Sequence, residues 1–205
     1  MAITNMRQGF IIRSFSVFAV LLGILFYARD EARAHCDTMD GPVVKAAEKA
    51  LATKNVNLIL IWVQKKDETE IKKRFLQTLD VRRLSRQARE LADNYFFETV
   101  VRLHRAGEGE PYTGLKPAGT DLGPVIPVAD RAFHDGSLDA LLKLFAVPAR
   151  AEIQTRFREA ITKKSFNEND IEAGREYVKA YITFMHHIEH LYEQQHRTEG
   201  GMDAI

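Results

Sequence analysis

GPVVKAAEKAL, residues 41–51, returns as GPVIPVADRAF at residues 123–133, and the reading of the whole chain starts from that return. At the same offset of 82 residues, without a gap, Gly41–His104 aligns with Gly123–His186, and 13 of the 64 pairs are identical. Unrelated sequences would match at about one position in sixteen. The matches include Leu60 with Leu142, Glu70-Ile71 with Glu152-Ile153, Arg74-Phe75 with Arg156-Phe157, Tyr95 with Tyr177 and His104 with His186.

Within each stretch apolar residues recur at spacings of three and four, and no alternating strand pattern survives. The periodicity predicts helices near 42–53, 56–65, 68–81, 84–106, 123–134, 137–146, 148–163 and 169–196. The fold class expected is all-α: a helical bundle built from two duplicated four-helix units. Repeat 1 covers about 41–106, a loop 107–122, repeat 2 about 123–188, and a C-terminal tail follows. Two units are too few for an open solenoid, so the halves are expected to pack face to face, each covering the other's apolar side.

The connecting stretch AGEGEPYTGLKPAGTDLGP, together with Pro127, holds five of the twelve glycines and four of the six prolines. It reads as a turn-rich loop, either a plain linker or a lid carrying Tyr112. Its Gly-x-Gly follows a helix and lacks a Gly-Lys-Ser/Thr, which argues against a phosphate cradle.

Residues 1–34 read as a secretory signal: Arg7 and Arg13, an apolar run from Phe15 to Ala28, then Ala32-Arg33-Ala34 before the cut. The apolar run is short for a bilayer span, which needs about 20 residues; an uncleaved anchor is the alternative. The expected mature chain, 35–205, is one domain without a further span, periplasmic or extracellular. It holds 25 Lys plus Arg against 26 Asp plus Glu, a balance that suggests neither nucleic acid nor an anionic membrane as a partner.

The only cysteine, Cys36, stands directly after His35. One thiol cannot close an internal bridge, and in an oxidising compartment it must be buried, shared between chains or held by a metal. The repeat offers a control. HCDTMDGPVV aligns with PAGTDLGPVI, so Thr38, Gly41, Pro42 and Val43, which recur as Thr120, Gly123, Pro124 and Val125, belong to the helix entry. His35, Cys36, Asp37, Met39 and Asp40 have no counterpart. Cleavage before His35 would free an amine beside an imidazole, an amide nitrogen and a thiolate, a donor set suited to Cu(II) or Ni(II). Asp40 is expected as the N-cap of the helix behind it, with metal ligation as the alternative, and Asp37 as an acceptor that orients the terminal amine or imidazole, or as a turn residue.

HCDTMDG resembles the metal hook of nickel superoxide dismutase, through His35, Cys36, Asp37 and Gly41. That resemblance implies an exposed hook on a helical bundle, with the His35 amine and imidazole and the Cys36 amide and thiolate as ligands. The family's second hook cysteine is replaced by Asp40 here, which favours copper, or binding without redox cycling, over nickel turnover. The chain from HCDTMDGPVV to EAGREYVKAY also resembles an uncharacterised family of exported prokaryotic proteins, which implies no activity.

In the last helix His186 and His190 could clasp a divalent ion at i and i+4. The apolar stripe Val178, Tyr181, Met185, Ile188, Tyr192 puts both on the opposite, wet side. His104 lies on a helix apolar nearly all round, where a histidine bonded to a carbonyl is expected, and Trp62 reads as core. Two functions are consistent with these features: an exported copper- or nickel-binding protein, with superoxide-dismutase-like activity as its sharper form, or a non-catalytic envelope module.

Overall fold

The computed structural model describes residues 34–200. The signal reading of residues 1–33, and the tail beyond 200, lie outside the described residues. The chain divides after Ala34, and everything below concerns the unit that begins at His35.

The fold is all-α. Helices run in the order α1 (Pro42–Thr53), α2 (Asn57–Leu60), α3 (Glu68–Val81), α4 (Arg86–Glu108), α5 (Val125–Asp135), α6 (Asp139–Leu142), α7 (Val147–Lys163) and α8 (Ile171–Gly200). Each lies within a few residues of its sequence expectation, except that α2 and α6 are single turns. In each half the first helix packs on the single turn behind it and on the long last helix, and the third helix packs antiparallel on the last.

The two halves agree in detail at the 82-residue offset. Thr53 and Asp135 end the first helices, and the next residues, Lys54 and Gly136, both turn left-handed, at φ 57° and 71°. The Leu60 N–H donates to the Val56 carbonyl as the Leu142 N–H does to Leu138. Arg82 reaches the Leu51 carbonyl at 3.1 Å, and its counterpart Lys164 reaches the Phe133 carbonyl at 2.5 Å. A cation at that position satisfies a carbonyl left open at a helix C-terminus.

One apolar core runs through both halves. Val43, Ala47, Leu60 and Phe96 from the first pack in the same cluster as Ile126, Ile153, Phe184 and Ile188 from the second. Trp62 and Tyr181 meet edge to face across the seam, with ring centroids 6.3 Å apart. Burying side chains of this size contributes about 1.5–3 kcal/mol each, so neither half would keep its stability without the other's cover. No helix among the described residues is long and apolar enough to cross a membrane.

Candidate functional site

The residues without counterparts in the second half do not hang free. Ala34–Asp37 form one 3-10 turn, and His35, Cys36, Asp37 and Thr38 are all buried. The turn is folded tightly back on the start of α1. A Cβ at Gly41 would collide with the His35 carbonyl oxygen and sit 2.8 Å from Thr38 Oγ1, so only glycine fits there. Gly123 recurs at the equivalent place, yet nothing lies within 4 Å of its missing Cβ. The shared glycine is thus a helix-entry residue in one half and a packing requirement in the other.

The connecting loop crosses over this turn. The Lys116 N–H donates to the Asp37 carbonyl at 2.9 Å, and the Met39 N–H donates to the Lys116 carbonyl at 3.0 Å. Asp40 supplies a third tie, accepting from the Gly119 N–H at 3.0 Å, which holds its carboxyl below the usual range. Asp40 is therefore a latch on the loop. Gly41, with no side-chain cap, takes the N-cap place expected for it. Pro42 in the first turn reduces the need for a capping acceptor there, leaving the carboxylate free to turn outward. Tyr112 of the same loop packs against the core, and its burial, with the Glu98 carboxylate beside it, pushes its hydroxyl up to about 12.

His35 is positioned from the second half. Its Nε2 donates to Asp130 Oδ2 at 2.6 Å, while the Tyr181 hydroxyl donates to Asp130 Oδ1 at 2.6 Å. Asp130 stands on α5 with its side chain 42% exposed, between this buried pair and solvent. On its outer side opens a shallow groove of about 470 Å³, lined by Asp40, Lys45, Asp130, Arg131, His134 and Asp135.

On the other side of Cys36 lies the end of α4. Arg105 Nε is 3.5 Å from Asp37 Oδ1, and its guanidinium lies 3.4 Å from Glu108 Oε2. The His104 ring donates from Nδ1 to the Trp62 carbonyl at 2.9 Å, the bond to a carbonyl expected from the sequence. A carbonyl only accepts, so the proton of a neutral ring is fixed on Nδ1, and burial pushes His104 below its ordinary 6.5. The bare Nε2 then faces Glu108 Oε1 at 3.5 Å, and both atoms are buried with no hydrogen-bond partner among the described residues. Two buried acceptors face one another, and the carboxylate of the pair bears electrostatically on the Cys36 thiol. Burial, with Glu108 next in weight, pushes the Cys36 thiol well above its ordinary value, so it stands protonated at neutral pH.

Sequence reasoning named His35, Cys36, Asp37, Asp40 and Tyr112, and the structure brings all five to one corner. His186 and His190 are exposed and belong to no such corner. Among the described residues, no group of three or more His, Cys, Asp or Glu side chains has the spacing of a formed metal site. Asp130, Tyr181, Arg105 and Glu108 were missed. The repeat held the signal for three of them: Arg105 and Glu108 stand where the second half has His187 and His190, and Tyr181 where the first has Thr99.

A loop-latched N-terminal turn, buried against the long helix of one half and held by a carboxylate from the other, defines a duplicated-looking helical protein with one polar corner. The chain belongs to a family of unknown function (DUF6448), whose model matches residues 40–187. His35–Met39 lie just ahead of the matched residues. No curated protein and no solved structure matches the chain significantly.

Proposed function

We propose that this is an exported protein that binds a transition-metal ion, copper before nickel, at the corner where His35 and Cys36 meet the end of α4. The observation that carries the reading is the confrontation of His104 Nε2 and Glu108 Oε1, two buried acceptors 3.5 Å apart, with the Glu108 carboxylate near enough to act electrostatically on the buried Cys36 thiol. Such an arrangement is costly unless a proton or a cation comes between the acceptors. The Asp130–His35 pair adds support, since a carboxylate that fixes one ring nitrogen is the usual companion of a ligating histidine. Release of the chain after Ala34 would add the His35 amine. Copper is preferred because Asp40, in the place of the resembled hook's second cysteine, is turned to Gly119 and brings no second soft donor.

Superoxide-dismutase-like activity on a small oxygen species is the sharper form of the proposal. The groove beside Asp130 supports it, because solvent reaches the carboxylate that holds His35. We also infer that the halves are copies of one four-helix unit. The second copy keeps His186 exposed where the first buries His104, and so carries no equivalent corner.

A non-catalytic envelope module is the second reading, favoured by the use of His35 and Asp40 as ties that hold the turn in place. Metal analysis of exported protein separates the two, with N-terminal sequencing to locate the cut. Near-stoichiometric copper or nickel in the wild type, lost in Cys36→Ser and reduced in Glu108→Gln, is expected. Metal-free protein that shows no charge-transfer band on titration with Cu(II) or Ni(II) would leave the structural reading.

A further inference from the structure

The turn between α3 and α4 is built differently from the rest of the surface. Residues 81–91, VRRLSRQAREL, carry four arginines against one acid, Glu90. Leu84 and Leu91 are each 73% exposed and Val81 is 41% exposed. These are three of the six large apolar side chains left open in the described chain. Arg82 is held inward by Asp93 and the Leu51 carbonyl, which fixes the backbone of the corner. Arg83, Arg86 and Arg89 are exposed, Arg89 with its Nε donating to the Arg82 carbonyl at 3.4 Å. Arg83 pairs with Asp80 and Arg86 with Glu90, both as exposed neighbours on the same stretch of chain. Pairs of that kind are weak and open readily to a better anion.

The equivalent corner of the second half shows what a partner does to this structure. Residues 163–173, KKSFNENDIEA, carry two lysines against three acids, and the corner is docked on the first half. Glu168 bonds Lys49 at 2.8 Å, Asn169 bonds Asn57 at 3.1 Å, and Phe166, the counterpart of Leu84, packs on Tyr177. The first corner cannot make the mirror contact on the second half. The surface equivalent to Lys49 is Arg131, and the residue equivalent to Glu168 is Arg86, so like charges would meet. The same repulsion disfavours a second copy of this chain docked in that way.

What fits is an anionic surface that accepts single apolar side chains. A protein interface needs a broad, complementary patch. Here single exposed leucines stand among exposed arginines on one turn, a pattern suited to lipid, with headgroups taking the guanidinium groups and the acyl boundary taking the leucines. We propose that the α3–α4 corner, a local excess of arginine in a chain whose overall charge balance points to no anionic partner, docks this protein peripherally on a membrane rich in anionic phospholipid.

The test uses the unit from His35 onward and co-sedimentation with vesicles. Wild type is expected to pellet with equal parts phosphatidylcholine and phosphatidylglycerol, and to stay in solution with phosphatidylcholine alone or at high salt. The triple change Arg83→Gln, Arg86→Gln, Arg89→Gln should weaken binding at least about tenfold, and so should Leu84→Ser with Leu91→Ser. Circular dichroism and thermal midpoint should remain near wild type, because these side chains are exposed. Absence of binding to the mixed vesicles, equal binding to neutral vesicles, or unchanged binding by folded variants of both kinds would each overturn the proposal. So would retention on polyglutamate without vesicle binding, which would assign the corner to an acidic protein.

Discussion

The corners at 81–91 and 163–173 occupy the same place in the two halves and meet opposite fates. The second is a joint of the fold. Beyond the bonds of Glu168 and Asn169, α8 enters so close to α2 that a Cβ at Gly174 would strike the Ile61 side chain. Arg175, one residue on, donates to the Leu60 and Val63 carbonyls at 3.3 and 3.2 Å and to Glu68 at 2.7 Å. The first corner has Asp93 where Arg175 stands, and Asp93 turns back to Arg82 within its own half. Two charge reversals, Asp93 for Arg175 and Arg86 for Glu168, thus separate the corner that closes on itself from the corner that ties the halves together. They leave the first half's corner free for a partner and make the second half's corner part of the frame.

The largest expected effect is the loss of that tie. Arg175→Met takes the guanidinium from Glu68, which keeps Lys72, and removes a donor from the Leu60 and Val63 carbonyls, and should cost about 2 kcal/mol in urea denaturation. Asp93→Asn removes a pair confined to one half and should cost about 1 kcal/mol. Hydrogen exchange would sharpen the contrast: Arg175→Met should speed exchange at the start of α8 and at α2 together. Equal costs for the two variants, or faster exchange at only one of those sites, would erase the distinction between joint and free corner.

The two helix-entry glycines extend the comparison. At Gly41 a methyl group meets backbone, which cannot step aside as a side-chain tip can. Gly41→Ala should therefore cost about 2 kcal/mol and lift the N-terminal turn off the bundle. The second consequence is readable separately, because Cys36 should then react with a thiol reagent that the wild type resists. Gly123→Ala meets no neighbour, and only its φ of 70° opposes a side chain, at about 1 kcal/mol. A thiol equally reactive in wild type and Gly41→Ala would mean that the turn does not protect it.

Much of this was legible and some was not, for identifiable reasons. Helix periods could be read because they are local patterns in the sequence, and the 82-residue correspondence because it is a translational one. The same patterns placed His104 on a carbonyl and His186 in solvent. The exposed hook that the nickel superoxide dismutase resemblance implies does not form, and burial, one of the alternatives open for Cys36, holds instead because residues 35–38 are covered by a loop some 80 residues later and by Asp130 some 95 residues later. Nothing near His35 encodes either contact. Asp40 fell to a strong local rule, the N-cap preference, that a tertiary bond to Gly119 overrides. Arg105 and Glu108 could have been found by subtracting one repeat from the other along α4 as was done at the N-terminus.

The buried histidine gives a smaller effect with a definite sign. His104 lies below its ordinary 6.5 in the folded state because burial disfavours the cation. The unfolded chain then binds more protons than the folded one just below that value, so stability is full above about pH 6.5 and declines as the pH falls. His187, also lowered by burial, contributes in the same direction from the second half. Urea titrations between pH 7 and 5 should show the decline, and His104→Asn should flatten it more than His187→Asn. A decline unchanged by His104→Asn would place the sensitivity elsewhere.

The smallest expected effect falls on the pair Leu84 and Phe166, which correspond at the 82-residue offset. Leu84→Ser removes an apolar side chain from water, and its cost to the fold should lie within about 0.5 kcal/mol. Phe166→Ser removes a ring that packs on Tyr177 and closes against the site of Gly174, and about 1–2 kcal/mol should be lost with it. The measured difference is the stability that docking of a corner adds at this one residue. If Leu84→Ser proves as costly as Phe166→Ser, the first corner is not free in solution and already packs on something within its own chain. If Leu84→Ser is neutral for stability while vesicle binding falls, Leu84 serves the corner's contact with a membrane and not the fold.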